Sequence, residues 1–147
     1  MTSKRFRVTV ALGSNYQARD AINKGIALLG EHLTEMSASS VLETAPIGIT
    51  SGSFLNCVAT GFTDLSADQL IDLLKQTEYR CGDRKSLRRK HIILLDIDLL
   101  EYDGIRHHTA DWERDYIQAL VGELRAHADI RQFGEPHLPT NDEQRKK

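Results

Sequence analysis

The hydrophobic residues of this chain follow two periods, and the shorter period predicts its strands. Near the N-terminus, FRVTVAL alternates apolar and polar residues and is rich in β-branched side chains, which favour extended backbone. Segments of strand character occur at residues 6–12, 34–44, 54–64 and 92–102. We therefore expect a sheet of four strands.

Apolar residues spaced three and four positions apart predict the helices. These helices cover residues 17–33, 67–81 and 111–127. Ser66 is suited to cap the second of them, because its side-chain oxygen can accept a hydrogen bond from a free backbone N–H of the first turn. A loop rich in Gly, Pro and Ser at 45–53 and a basic loop at 81–91 separate the elements.

The order strand, helix, strand, strand, helix, strand and a final helix indicates one fold class. It is the α+β, ferredoxin-like (split βαβ) arrangement, an antiparallel sheet with helices on one face, plus a C-terminal helix. Such a sheet has a second face without helices of its own, where we expect function. Residues 1–130 are predicted to form this single domain, and the polar residues 131–147 a disordered tail.

Composition excludes several classes of protein. The net charge of −2 creates no field that would attract nucleic acid or anionic lipid. No apolar run approaches the roughly 20 residues of a membrane span, and the N-terminus lacks the apolar core of a signal peptide. Cys57 and Cys81 have no partner at metal-ligand spacing, so we expect reduced thiols. We expect a cytoplasmic protein that is a monomer or a weak homodimer and has no nucleic-acid or membrane partner.

Two aspartates interrupt the last strand, in the stretch IILLDIDLLEYDG. Because strand side chains alternate, Asp96 and Asp98 share one face of the sheet, with Cα atoms about 6.5–7 Å apart. The opposite face receives Ile93, Leu95, Ile97 and Leu99. Two like charges at this spacing repel each other, and a divalent cation such as Mg²⁺, which prefers carboxylate oxygens, would relieve the repulsion. The alternative is a sheet face that is simply solvated.

Several short motifs occur in a fixed order along the chain. They are VALGSN (10–15), ETAPIG (43–48), SFLNCV (53–58), EYRCG (78–82) and LLDIDLL (94–100). Over about residues 6–124 this ordered set resembles the 6-hydroxymethyl-7,8-dihydropterin pyrophosphokinase family of folate biosynthesis. The resemblance implies transfer of pyrophosphate from ATP to the hydroxymethyl group of the pterin, with release of AMP.

The resemblance also implies a pterin site. Phe54 and Tyr116 would sandwich the flat ring, and Asn56 would bind its donor–acceptor edge. Backbone groups of the ETAPIG loop would add further contacts, at Thr44, Pro46 and Ile47. Stacking between two aromatic rings, with an amide at the edge, is a physically reasonable way to hold a flat heteroaromatic ligand.

The metal and ATP sites follow from the same resemblance. Asp96 and Asp98 would hold two Mg²⁺ ions and so take part in catalysis. His108 and Arg114, six residues apart in HTADWER, would reach the phosphates of ATP. A surface histidine and an exposed helix arginine are the alternative explanations of that pair.

The chain departs from the family at positions that serve ATP binding and transfer. Asp83 and Ile93 stand where arginines are expected, and Lys90 replaces a tryptophan. We expect other cations of the loop 81–91 to compensate, with ATP-binding roles for Arg84 and Lys85 and catalytic roles for Arg88 and Arg89.

The departures leave two other hypotheses open. The first is a catalytically impaired homologue that binds a pterin or nucleotide as a sensor or partner protein. The second is a ferredoxin-like interaction domain that binds protein on its free face, which leaves the aspartate pair and the ordered motifs unexplained.

Overall fold

The computed structural model describes residues 4–133, and an antiparallel sheet forms its centre. The strands are β1 (Phe6–Ser14), β2 (Thr34–Ala38), β3 (Leu42–Thr44), β4 (Phe54–Thr63), β5 (Asp96–Tyr102) and β6 (Ile105–Arg106). The helices are α1 (Ala18–Gly30), α2 (Ala67–Arg80), α3 (Lys85–Arg88) and α4 (Asp115–Phe133), with a 3₁₀ turn at Thr109–Glu113. No helix among the described residues is long and apolar enough to cross a membrane.

The α+β, ferredoxin-like prediction is confirmed, with β4 and β5 flanking the central strand β1. The sheet runs in the order β2-β4-β1-β5-β6, and β3 also pairs with β4. Every pairing is antiparallel. The predicted tail at 131–147 lies outside the described residues, except for 131–133, which end α4.

Two predicted strands were too long. The segment 34–44 forms two short strands rather than one, because Ser39 between them bonds β4 partly through its side chain. The N–H of Ser39 donates to the carbonyl of Val58 at 2.8 Å, and the hydroxyl of Ser39 accepts from the N–H of Val58 at 2.9 Å. The predicted strand 92–102 begins only at residue 96. The N–H of Leu94 donates to the carboxylate of Asp83 at 3.1 Å instead of to a neighbouring strand.

The predicted loop and final helix also differ from the structure. The basic loop 81–91 contains the one-turn helix α3. The helix predicted at 111–127 is a 3₁₀ turn followed by α4, which begins at residue 115 and extends to residue 133. The cap of α2 is as predicted, since the hydroxyl of Ser66 accepts from the N–H of Gln69 at 3.2 Å.

Apolar side chains cover both faces of the sheet. On one face, α1 and α2 bury a core that includes Val8, Val10, Leu12, Ile22, Leu29, Leu70, Leu74, Leu95, Ile97 and Leu99. On the other face, α4 and the 3₁₀ turn bury a second cluster of Val58, Leu100, Trp112, Ile117, Leu120, Val121 and Leu124. The second face, expected to carry no helix of its own, is therefore covered by α4 over part of its area.

Gly82, between α2 and the loop that follows it, has a backbone conformation that favours glycine. Its φ is +102°, and an added Cβ would lie 2.7 Å from Cδ2 of Leu94. We expect Gly82→Ala to lower the free energy of unfolding by about 1–3 kcal/mol, the usual cost of such backbone strain. Urea denaturation measures the change.

Gly30, at the end of α1, supplies the matched control. An added Cβ there meets nothing within 4 Å, and its φ lies outside the left-handed region. Gly30→Ala should leave stability unchanged or raise it slightly. Equal losses in the two variants would show that the backbone at Gly82 is not the cause.

Candidate active site

The register of the sheet brings residues from distant parts of the chain together around Gly13 of β1. Gly13 is paired with Asn56 of β4 on one side and with Asp96 of β5 on the other. Two residues earlier in β1, Ala11 is paired with Asp98. A Cβ on Gly13 would lie 2.9 Å from Oδ1 of Asn56, so the glycine leaves room for that amide.

A cleft of about 290 Å³ opens at this end of the sheet, beside α4. Its walls come from β1, β3, β4, β5, α3, the 3₁₀ turn, the start of α4 and the loops after β3 and before β5. The lining residues are Gly13, Thr44, Ala45, Ile47, Ile49, Phe54, Asn56, Arg88, Ile93, Asp96, Asp98, Asp111, Arg114 and Tyr116. Most residues predicted for the pterin, metal and phosphate sites thus lie around one cleft.

The predicted pterin residues occupy one part of the cleft. Asn56 is 8% exposed, and its Nδ2 donates to the hydroxyl of Thr44 at 2.6 Å. Phe54 and Tyr116 both line the cleft, and Ile47 is exposed at its rim. Pro46 is not among the lining residues, which from this loop are Ala45, Ile47 and Ile49.

The two strand aspartates lie side by side and are partly buried. Burial, followed by the charge of Asp96, raises the pKa of Asp98 to about 7. Their neighbour Glu78, on α2, accepts a hydrogen bond from the N–H of Ile97 at 2.7 Å. Burial raises the pKa of Glu78 to about 7 as well. Glu78 belongs to the EYRCG motif, but spacing alone could not show that it reaches the backbone between the two aspartates.

Asp98 also takes part in a group of possible metal ligands that the sequence did not predict. Ligand atoms of Asp98, His108 and Asp111 lie within 4.8 Å of one another. His108 is 3.9 Å from Asp98 through Nε2 and 3.9 Å from Asp111 through Nδ1. Arg114 contacts the other oxygen of Asp111 at 3.3 Å. Sequence reasoning took His108 and Arg114 from HTADWER and missed the carboxylate between them.

Arg88 is the loop cation that lies in the cleft. Its Nε donates to Oδ2 of Asp83 at 2.6 Å. Its Nη2 donates to the carbonyl of Leu95 at 2.9 Å and to Oδ1 of Asp96 at 3.3 Å. The guanidinium therefore connects the buried Asp83 to the carboxylate at the start of β5.

The other predicted loop cations lie elsewhere. Arg84 stacks on the ring of Tyr79, 3.5 Å from its centroid, and donates to the carbonyls of Tyr79 and Asp83 at 2.8 Å. Lys85 and Arg89 do not line the cleft. Of the four loop cations that the sequence grouped together, Arg88 is therefore the one that lines the cleft.

Comparison with known protein families assigns the chain to one of them. A sequence model of the family 7,8-dihydro-6-hydroxymethylpterin-pyrophosphokinase (HPPK) matches residues 9–127. The chain belongs to the HPPK family. The matched range contains the whole cleft lining, from Gly13 to Tyr116.

Relatives of this HPPK chain carry folate-synthesis names. A folate synthesis bifunctional protein of Chlamydia caviae is 32% identical over 141 residues, which cover 84% of this chain and 31% of that protein. One from Arabidopsis thaliana is 30% identical over 134 residues, covering 84% and 28%. A mitochondrial form from Arabidopsis thaliana is 32% identical over 133 residues, covering 83% and 24%. The chain spans about a third or less of the length of these curated relatives.

The raised pKa of Asp98 makes the stability of this HPPK chain depend on pH. In an unfolded chain an aspartate titrates near pH 4, so between about pH 4 and 7 the folded state binds the extra proton. Stability then falls as the pH rises through this window. Asp98→Asn cannot ionise, and we expect its stability to increase relative to the parent from pH 5 to pH 8. Urea denaturation in EDTA measures the difference.

Asp72→Asn, on the exposed face of α2, is the matched control for removing one aspartate charge. Its stability relative to the parent should change little over the same range. If the difference between Asp98→Asn and the parent is the same at pH 5 and pH 8, the carboxyl of Asp98 is ionised throughout and the expectation is wrong.

Proposed function

We propose that this protein transfers pyrophosphate from ATP to the hydroxymethyl oxygen of 6-hydroxymethyl-7,8-dihydropterin and releases AMP. The observation that carries this proposal is the meeting of two sets of side chains at one cleft. Aromatic and amide groups suited to a pterin lie next to carboxylates and guanidinium groups suited to metal-bound phosphates. The HPPK family assignment supports the same reaction class.

The pterin is proposed to bind between Phe54 and Tyr116. Both rings line the cleft, so a flat ligand between them would bury apolar surface on each side. The amide of Asn56 lines the cleft and is proposed to bind the polar edge of such a ligand through its oxygen and the N–H that Thr44 does not use. Thr44 fixes that amide through its hydroxyl. These contacts would hold the hydroxymethyl group toward the aspartates.

Asp96 and Asp98 are proposed to hold Mg²⁺. Their carboxylate oxygens are the donors that this ion prefers, and both aspartates line the cleft. The imidazole of His108 is a less suitable ligand for Mg²⁺ than for transition metals, which supports its proposed role as a phosphate contact. Bound ions would supply positive charge at the bridging oxygens of ATP when its β-phosphorus is attacked.

The cations of the cleft are proposed to complete the ATP site. Arg88 lines the cleft beside Asp96, and Arg114 does so beside Asp111. A guanidinium can donate two parallel hydrogen bonds to a phosphate, which fixes its orientation as well as its charge. Arg84, Lys85 and Arg89, which lie outside the lining, are proposed to act only through the local field that attracts ATP.

One observation favours the second candidate, an impaired homologue that binds ligand without turnover. Ile93 lines the cleft at a position where the family resemblance leads us to expect an arginine. Loss of one preorganised donor typically lowers the rate by roughly a hundred- to a thousand-fold. Under this alternative the protein binds pterin or nucleotide but releases no AMP.

The deciding experiment measures AMP release from ATP with and without the pterin, at saturating Mg²⁺. We expect release that depends on both the pterin and the metal. Asp96→Ala and Asp98→Ala should each abolish it, because the proposed ions lose a ligand, while both variants remain folded. Asp72→Ala, on the exposed face of α2, is the control. Metal-independent nucleotide binding of unchanged affinity in both variants would exclude these aspartates as ligands.

A second measurement tests the pterin contacts. Phe54→Ala and Asn56→Ala should each weaken pterin binding by about 1–3 kcal/mol, through a lost stacking partner or an unpaired ligand edge. Phe62→Ala is the matched control, since this phenylalanine belongs to the same strand but lies outside the cleft. Fluorescence titration gives the affinities. Lower melting temperatures with unchanged affinities would identify Phe54 and Asn56 as purely structural.

A further inference from the structure

We propose that Asp83 is a positioning residue that fixes the guanidinium of Arg88 at the wall of the cleft, with one edge presented to an anionic oxygen. Asp83 stands where the family resemblance predicts an arginine, so the change would move the cation to Arg88 rather than remove it. That the anion is a phosphate of ATP rests on the proposed function.

Asp83 is buried, and both of its carboxylate oxygens accept hydrogen bonds. It is 8% exposed. Its Oδ1 accepts from the N–H of Leu94 at 3.1 Å and of Leu95 at 3.4 Å. Its Oδ2 accepts from Nε of Arg88 at 2.6 Å. One carboxylate oxygen is thus used by the backbone that leads into β5, and the other is directed to the guanidinium.

The contacts of Arg88 leave one edge of its guanidinium for a ligand. An arginine has five N–H donors. Nε uses its one donor on Asp83, and Nη2 contacts the carbonyl of Leu95 and the carboxylate of Asp96. Among the residues whose side chains the structure describes, 4–128, none accepts a hydrogen bond from Nη1. Because Arg88 lines the cleft, the two N–H groups of Nη1 can bind an anionic oxygen there.

Asp83 makes the shortest of the three carboxylate contacts to Arg88. The others are Asp96 at 3.3 Å and Glu78 at 3.8 Å. Burial alone would lower the pKa of Arg88, but its hydrogen bond to Asp83 and the neighbouring acidic groups raise it above the ordinary value. The 2.6 Å contact therefore makes Asp83 the carboxylate that orients the guanidinium. Without Asp83, the closest remaining carboxylate is Asp96, and Arg88 would turn toward it.

The alternative is that Asp83 only caps the backbone before β5. Asp83→Asn separates the two roles. Its amide oxygen can still accept from Leu94 and Leu95, whereas the amide NH₂ cannot accept from Nε of Arg88. A backbone cap would survive this substitution, and a positioning contact would not.

The test is a double-mutant cycle on the full chain, read out by titration with a non-hydrolysable ATP analogue and Mg²⁺. We expect Asp83→Asn to weaken analogue binding roughly tenfold, within the range of a hydrogen bond to a charged group. In the Arg88→Ala background the same substitution should change affinity by less than about twofold, because the two residues act as one unit. Pterin affinity should remain near the parent value in all variants.

Asp72→Asn is the control for loss of an acidic charge and should bind the analogue like the parent. Equal weakening by Asp83→Asn in the presence and absence of Arg88, or no weakening at all, would overturn the proposal. Should Asp83→Asn fail to fold, Arg88→Lys decides. It keeps the charge but not the fork geometry, so positioning predicts a loss close to that of Arg88→Ala. Parent-like binding by Arg88→Lys would contradict it.

Separate measurements of analogue binding and of turnover distinguish a failure of this inference from a failure of the proposed function. If the parent releases no AMP with the pterin present, the pyrophosphokinase proposal fails, and the analogue titration still decides the role of Asp83. Where AMP is released, kcat/KM for ATP should fall in Asp83→Asn while the KM for pterin is unchanged. A rise confined to the KM for pterin would place the effect of Asp83 elsewhere.

Discussion

The repulsion between two carboxylates on one strand is the constraint around which the cleft is organised. Asp96 and Asp98 share a face of β5, and burial with this repulsion keeps the pKa of Asp98 near 7. Five carboxyl groups lie in or against the cleft, those of Glu78, Asp83, Asp96, Asp98 and Asp111. Two guanidinium groups lie among them, since Arg88 contacts Glu78, Asp83 and Asp96, and Arg114 contacts Asp111. Such an excess of negative charge favours a bound divalent cation, which would in turn favour ionised Asp98.

Local pattern was enough to predict the main elements and the face that the aspartates share. Alternation alone places Ile97 and Leu99 in the core beneath α1 and α2 and Asp96 and Asp98 opposite, and the structure agrees. The same alternation was wrong for Ile93, which lies before β5 begins and lines the cleft with the aspartates. What local pattern could not predict was anything fixed by contacts between distant residues. The strand expected from residue 92 fails because Asp83 takes backbone N–H groups before β5.

The candidate site also combines features that the sequence could predict with features that only contacts between distant residues determine. The family resemblance pointed to Asn56 and Asp96 separately, but their placement on either side of Gly13 depends on the register of three strands. Asp111 was missed because no periodicity marks a carboxylate in a 3₁₀ turn. Arg88 could be predicted as one of several loop cations, but only the structure distinguishes it from Arg89, through the contact to Asp83.

The second hydrophobic cluster has a role in the site because it fixes the segment that closes the cleft. The indole Nε1 of Trp112 donates to the carbonyls of Leu100 at 3.0 Å and His107 at 3.2 Å. These bonds tie the 3₁₀ turn to β5, so Asp111 and Arg114 on either side of Trp112 are held opposite Asp98. The packing of α4 against Val58 and Leu100 then fixes Tyr116 in its first turn. The helix that covers part of the second sheet face is thus also what forms the far wall of the cleft.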